Sequence, residues 1–341
     1  MKSTITDVAS RAGVSIKTVS RVLNDEPNVT EKTRKKVRDA VKALKYRPNF
    51  SARSLAGSRS YLLAMVYDNP SVEYITHMQK GATAACREHG YHLVVEPVDW
   101  DTGDLTGDIE MLLGRLPVDG VILTPPICDS RRIVSALEKA RIPMVRICPR
   151  NPVMTSAPSI NMDDAAAAYD MTRYLIDAGH TDIGFIRGAS SHESSHLREQ
   201  GFRKALKDAD LELDPARIVD GDYTFEAGLA GAELLLSGYT RPTAIFAGND
   251  DMAAGAISRA GALGLSVPKD LSVCGFDNTA LASMIFPPLT TVSQPITDAG
   301  RRAARLLIDR ASKSGTAEPA QDIAVEYEIV IRGSTGSLNR G

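Results

Sequence analysis

Hydrophobic positions along the chain follow two regimes. Over the first 45 residues they recur at helical spacing in short bursts. Ile5, Val8, Ala9 and Ala12 mark one helix face, and Val19, Val22 and Leu23 a second. Val37, Ala40, Val41 and Leu44 form a third, at i, i+3, i+4 and i+7. Thr4-x-x-Asp7 is a capping box before the first burst. Gly13 ends that helix and permits a sharp turn pinned by Val14, and Ser15 caps the second helix. Thr30 caps the third, and Pro48 stops it. Two short helices joined through a glycine turn make a helix-turn-helix, and three give a small domain with a marginal core.

From Tyr61 onward the pattern changes. Short apolar runs at 62–66, 93–95, 120–123, 144–147, 183–186, 244–246 and 272–276 read as buried strands. Amphipathic or alanine-rich segments lie between them, near 74–89, 106–115, 130–140, 164–178, 197–209, 225–237, 251–263 and 296–312. Such alternation predicts parallel sheets with helices on both faces. About 280 residues is long for one such sheet, so two lobes are expected. The expected fold is a small all-α helix-turn-helix head plus an α/β core of two doubly wound parallel-sheet lobes.

Charge separates the same two regions. The formal charge of -2 hides a head (1–60) with 14 Lys+Arg against 5 Asp+Glu, and a remainder with 26 against 37. A basic head on an acidic body points to a polyanion partner for the head alone; a solvated basic face is the plain alternative. The second helix shows Ser15, Ile16, Lys17, Thr18, Ser20 and Arg21 opposite its apolar side. In a helix-turn-helix the N-terminal part of that helix enters the major groove. Lys17 and Arg21 suit guanine O6 and N7 or phosphates, Ile16 suits a thymine methyl, and the hydroxyls suit phosphates or base edges. The third helix is expected to expose Lys32, Arg34, Lys35, Lys36, Arg38, Lys42 and Lys45. Cys86, Cys128, Cys148 and Cys274 are scattered and read as reduced thiols, not a disulfide frame or zinc cluster. No run approaches the roughly 20 apolar residues of a membrane span, and the N-terminus lacks a signal peptide's apolar run, so a cytoplasmic, nucleoid-associated location is expected.

The head sequence Thr6-Asp7-Val8-Ala9, Ala12-Gly13-Val14-Ser15 and Thr18-Val19-Ser20-Arg21-Val22-Leu23-Asn24 resembles the DNA-binding head of the LacI/GalR family. Tyr46-Arg47-Pro48-Asn49 and Ala52-Arg53-Ser54-Leu55-Ala56-Gly57 are similar to that family's hinge. Further signatures reach almost to residue 333: Gly179-His180-Thr181, Arg198-x-x-Gly201-Phe202, Ala247-Gly248-Asn249-Asp250, Gly275-Phe276-Asp277-Asn278 and Pro288-Leu289-Thr290-Thr291-Val292. The resemblance implies a helix-turn-helix domain at 1–48 and a hinge at 49–60. It also implies a periplasmic-binding-protein-like core at 61–341, with an N-terminal lobe at 61–160 and 293–322 and a C-terminal lobe at 161–288 and 323–333. The chain would cross between lobes near 159–162, 286–293 and 321–323. The implied DNA contacts are Thr4, Thr6, Ser15, Ile16, Lys17, Thr18, Ser20, Arg21, Asn24, Asn49, Arg53, Leu55 and Ala56, with Leu55 as a minor-groove wedge. Without the resemblance, residues 50–60 read as a polar linker.

Ligands in open α/β sheets bind at the C-terminal ends of strands. Asp68 and Asn69, Arg146 and Cys148, Asn249 and Asp250, and Asp277 and Asn278 follow predicted strands. Planar bidentate groups with an aromatic suit vicinal hydroxyls on an apolar ring, which is sugar-like chemistry. The resemblance implies an effector set of Asp68, Arg146, His192, Ser194, Arg198, Tyr223, Asn249, Asp277 and Gln294. Arg146 and Cys148 depart from the family's commonly apolar or acidic residues there, and His192 is unusual, so the ligand's identity does not carry over. Each residue also has a structural reading: Asp277 as a cap, Tyr223 as core, Asn249-Asp250 as an N-cap.

The expectation is a sequence-specific transcription regulator, a repressor of carbohydrate-use genes, without cofactor or metal. It would bind a pseudo-palindromic operator as a homodimer and answer to a small-molecule effector, with no membrane partner. The last residues, 333–341, carry no leucine heptad, which favours a dimer over a tetramer. A solute-binding protein serving a sugar transporter is the alternative that the core alone would allow. His192-Glu193-Ser194-Ser195-His196 matches HExxH, the basis of a third reading as a zinc hydrolase. Its clustered serines favour a loop or a frayed helix start. GxGxxG, P-loop and GxSxG motifs are absent. Trp100, between two aspartates, reads as a surface aromatic.

Overall fold

The computed structural model describes residues 3–23, 29–46, 59–100, 107, 117–150, 155–312 and 322–338. The chain separates into two compact units, Met1–Ser60 and Tyr61–Gly341.

In the first unit, α1 (Ile5–Ala12) starts at the expected capping box: the Thr4 amide donates to Asp7 Oδ2 at 2.8 Å, and Thr4 Oγ1 accepts from the Asp7 amide. Gly13 takes φ 65, the left-handed backbone that ends the helix. Ser15 Oγ accepts from the Thr18 amide at 3.1 Å at the start of α2 (Ile16–Leu23). Thr30 caps α3 (Glu31–Ala43). Val8, Ala9, Ala12, Val19, Val22, Val37 and Ala40 close one small core. Arg34 departs from the expected exposed face of α3. It lies one turn before Val37 on the buried stripe, its stem is packed inward, and Nε donates to the Val29 carbonyl at 3.3 Å.

The second unit alternates strands and helices. Its order begins β1 (Leu62–Tyr67), α4 (Val72–Glu88), β2 (His92–Pro97), β3 (Gly120–Leu123), α5 (Arg131–Lys139), β4 (Met144–Ile147) and β5 (Ser159–Asn161). It continues with α6 (Asp164–Asp177), β6 (Ile183–Ile186), α7 (Glu193–Asp208), β7 (Ile218–Val219), α8 (Phe225–Leu236), β8 (Ala244–Ala247) and α9 (Asp250–Ala262). It ends with β9 (Ser272–Asp277), α10 (Ala280–Met284), β10 (Thr290–Ser293), α11 (Ile296–Ser312), β11 (Asp322–Ala324) and β12 (Glu328–Val330). The helix expected near 106–115 falls outside the described residues, Gly107 excepted.

Two sheets form, ordered β11-β5-β4-β3-β1-β2 and β12-β10-β9-β8-β6-β7. Every described pairing is parallel except that of β12 with β10. Each sheet is apolar on both faces, as a helix-covered parallel sheet must be. Leu63 and Met65 face α4 and α11, whereas Ala64 and Val66 face α5. Phe185 and Phe276 pack under α6 and α7; Ile245 and Val273 pack under α8 and α9. Trp100 belongs to the first lobe's apolar cluster and is partly buried, not a free surface ring.

The chain passes between lobes after β5, after β10 and between β11 and β12. The segments expected to be crossings therefore include the strands Ser159–Asn161, Thr290–Ser293 and the beginning of Asp322–Ala324. Ser293 pairs with Asp277 in the second sheet, and Ile323 and Ala324 pair with Ile160 and Asn161 in the first. Runs of three or four residues are too short to show a period, so they read as connections.

Candidate functional site

On the first unit, α2 turns Val19 and Val22 inward and leaves the beginning of the helix outward. Ile16 is 47% exposed and Lys17 stands beside it in solvent. Ser15 Oγ and Thr18 Oγ1 lie 2.9 Å apart at that same end. Ser20 and Arg21 are half-buried farther along, and Thr4 and Thr6 are exposed at the start of α1. An exposed isoleucine beside a lysine at a recognition-helix N-terminus suits a thymine methyl and an adjacent guanine or phosphate. Asn24, Asn49, Arg53, Leu55 and Ala56 lie outside the described residues.

In the second unit, a cleft opens where the parallel strands end. Asn69 follows β1, Pro125 follows β3, Cys148 follows β4, His192 and Ser194 follow β6, and Tyr223 follows β7. Asn249 follows β8, Asp277 ends β9, and Gln294 follows β10; all of these line the cleft. The space between them, open solvent included, is about 420 Å³.

Arg198 on α7 is the centre of the arrangement. Its Nε donates to Asp164 Oδ1 at 2.8 Å, Nη1 donates to the Gly248 carbonyl, and Cζ lies 3.6 Å over the Phe276 ring. Burial penalises its charge, but Asp164, with Tyr223 and Asp277, holds its pKa above the ordinary arginine value. The guanidinium therefore stays charged. Burial raises the Asp164 carboxyl, and Arg198 draws it back down. Asp277 is pushed well up by burial, partly offset by Arg198, and it accepts from Gln294 Nε2. Asp277 and Asn278 take φ 112 and φ 53 in succession. Two non-glycine residues in that region store strain at the cleft wall.

Tyr223 also has positive φ, 72, and its hydroxyl lies 3.1 Å from Ser194 Oγ. Its ring sits against the Gly188 backbone so closely that a Cβ there would be 2.1 Å from Cζ, so the aromatic depends on that glycine. Asn249 is at once a helix cap and a residue of the cleft lining. Its Oδ1 caps α9 through the Met252 amide at 2.9 Å, and its Nδ2 holds the Tyr223 carbonyl at 2.9 Å while the residue lines the cleft. His192 packs edge-on against Tyr223, with ring centroids 5.4 Å apart. Its pKa is pushed down to about 4 by burial and by Arg198, so it is neutral.

Among the described residues, polar contacts join the lobes across the cleft. Ser71 Oγ donates to Asp251 Oδ2 at 2.9 Å, and Arg150 Nε pairs with Glu193 Oε2 at 2.6 Å.

Of the nine expected effector residues, His192, Ser194, Arg198, Tyr223, Asn249, Asp277 and Gln294 come together, and two do not. Arg146 is fully buried inside β4, donating to the Cys128 carbonyl at 2.8 Å and pairing with Asp129 at 3.1 Å. The strand ends after Ile147 and Cys148 turns to φ 42, so Cys148 enters the cleft in its place. Burial and Asp164 push that thiol up to about 12, leaving it protonated. Asp68 accepts from the Trp100 amide at 3.0 Å, and the neighbouring Asn69 lines the cleft. Sequence reasoning missed Asp164, Ser71 and Tyr74. Asp163-Asp164 marks a helix start, but nothing local marks the pairing of Asp164 with Arg198.

The histidines of HESSH do not share a helix face. His192 is the N-cap of α7, outside the helix, and His196 Nε2 lies 3.0 Å from the Ser190 carbonyl. Glu193 is engaged by Arg150. Among the described residues, no group of three His, Cys, Asp or Glu side chains is placed to hold a metal ion. No helix among them is long and apolar enough to cross a membrane.

Residues 4–49 match the family described as bacterial regulatory proteins, lacI family, and residues 172–335 match the periplasmic binding protein-like domain. The chain is 37% identical to the HTH-type transcriptional regulator DegA of Bacillus subtilis, over 99% of this chain and 100% of that one. It is 36% identical to catabolite control protein A of Priestia megaterium, over 98% and 100%. Among solved structures, the lac repressor dimer bound to operator and an anti-inducer aligns with a TM-score of 0.79 at 28% identity, covering 98% of this chain and all of that chain. A complex of the transcriptional regulator CelR with cellobiose aligns at 0.73 and 30%, with the same coverage.

Proposed function

The chain belongs to the LacI family of bacterial regulatory proteins and is a DNA-binding transcription regulator rather than an enzyme; on that premise we propose that it represses carbohydrate-use genes under the control of a sugar held in the cleft of its core. Two heads of a homodimer read the halves of a pseudo-palindromic operator, because dimer symmetry imposes half-site symmetry. Ile16, Lys17 and Arg21 read the major groove, the hydroxyls of Thr4, Thr6, Ser15, Thr18 and Ser20 fix the register on phosphates, and Leu55 wedges the minor groove. The protein acts in the cytoplasm, on the nucleoid.

The observation that carries the sugar reading is the wall of Arg198, Asp277, Asn249 and Gln294 beside the Tyr223 ring. Bidentate groups meet vicinal hydroxyls, and the aromatic covers a ring face. Sugar binding alters the closure held by Ser71–Asp251 and Arg150–Glu193, and so the relation of the two heads. Gel shifts with genomic fragments, titrated with sugars, test the reading. The expected result is a discrete high-affinity fragment whose retention changes with one sugar. Binding that is only non-specific and steeply salt-dependent would contradict it.

A further inference from the structure

His192 is 5% exposed, lines the cleft, and has a buried Nε2 with no hydrogen-bond partner. The other ring nitrogen, Nδ1, is 3.2 Å from Ser191 Oγ. Resting on the sugar reading, we propose that His192 Nε2 is a dedicated hydrogen-bond acceptor for an effector hydroxyl, and that the cleft selects an uncharged polyol over its phosphorylated form.

An orphaned buried nitrogen in a polar cleft is costly unless the ligand completes it. Arg198 is close enough to disfavour a proton on the ring. With Nδ1–H donated to Ser191, Nε2 presents a lone pair and takes an O–H. A ligand lacking a hydroxyl there leaves the nitrogen unpaired, and such gaps in a hydrogen-bonding site are rejected strongly.

The charge pattern argues against an anion. Among the described residues lining the cleft, Arg198 is the charged cation, and it already faces the carboxylates of Asp164 and Asp277. Helix N-termini often attract phosphate. Here those at the cleft carry their own acids in the first turn: Glu73 on α4, Asp164 on α6, Glu193 on α7, and Asp250 and Asp251 on α9. Arg150, at the rim, is paired with Glu193. A phosphate group would meet the acids Asp164 and Asp277 of the lining, and a guanidinium already bonded to Asp164 and the Gly248 carbonyl.

Two measurements test the proposal. Long-range 15N–1H NMR of the full-length protein, with the His192 signal assigned by its loss in H192F, reads the tautomer at pH 6–8. The expected result is a neutral ring with unprotonated Nε2; an Nε2–H tautomer or an imidazolium would overturn the acceptor role. Thermal shift and calorimetry then compare glucose, fructose, ribose and cellobiose with their monophosphate esters. The free sugar that binds should do so at least thirtyfold tighter than its ester, and H192F should weaken it at least tenfold, with H192Q recovering part. An ester that binds as tightly as, or without, its free sugar overturns the selectivity. If no sugar or ester in an extended series binds, the sugar reading itself fails, and the selectivity falls with it, whatever the tautomer.

Discussion

Replacing Arg198 with methionine should destabilise the core by about 3–5 kcal/mol at neutral pH, because it leaves a buried carboxylate without its counter-charge. The two side chains are 6% and 2% exposed and joined at 2.8 Å, so solvent screening is slight. Among the described residues Asp164 receives its side-chain hydrogen bond from Arg198 alone, and the Gly248 carbonyl also loses a donor. Burial already raises Asp164, and removal of the guanidinium raises it further. A carboxyl whose folded pKa lies above its unfolded value favours folding fully only below the unfolded value, and that contribution is lost as pH climbs through the folded pKa. The penalty in R198M should therefore grow between pH 5 and pH 8. Urea titrations followed by circular dichroism, reading the core transition, measure it. The double variant D164N/R198M should recover at least half of the loss. A loss below about 1 kcal/mol, a penalty independent of pH, or a double variant no better than R198M would refute the reasoning.

Other consequences are smaller. Gly188→Ala should lower effector affinity at least tenfold while operator affinity without effector stays unchanged, since a Cβ at 2.1 Å displaces Tyr223 from the cleft; calorimetry beside a DNA-binding assay separates the two. Lys17→Ala and Arg21→Ala should each cost about 1–3 kcal/mol of discrimination if they touch base edges, or a uniform loss with a shallower salt slope if they touch phosphates. Binding to systematically mutated operators at several salt concentrations tells these apart. Asp250 is buried and its carboxyl is pushed up to about 7, chiefly by burial against the hydrogen bonds from Thr291 and Thr279. Its protonated form contributes stability that is complete below its ordinary value and lost as pH rises through about 7, so thermal melts should fall in midpoint from pH 5 to pH 8, and D250N should flatten that slope.

Much of the fold is legible because its signals are local. The Thr4–Asp7 box, Gly13 and Thr30 mark helix ends by chemistry that acts within one turn. The buried strands announce themselves as apolar runs between helical periods. Strands of three residues carry no period, so β5 and β11 could be placed only by their partners in the sheet. The cleft was legible to within one or two residues at the ends of β1 and β4. Asp68 and Asn69 adjoin, yet the strand's end aims only the second into the cleft, and the left-handed turn at Cys148 exchanges it for Arg146. Asp164 escaped notice because its role depends on Arg198, 34 positions away. Such pairings are properties of the packed molecule and have no local mark.

The central claim is that operator binding by the head and sugar binding by the core are linked. Fluorescence anisotropy with a labelled operator, with and without saturating effector, combined with effector titrations of free and DNA-bound protein, tests it most directly. The account expects operator affinity to change at least tenfold with effector, and effector affinity to change by the same factor with DNA, as reciprocity requires. An operator affinity identical with and without saturating effector would contradict it.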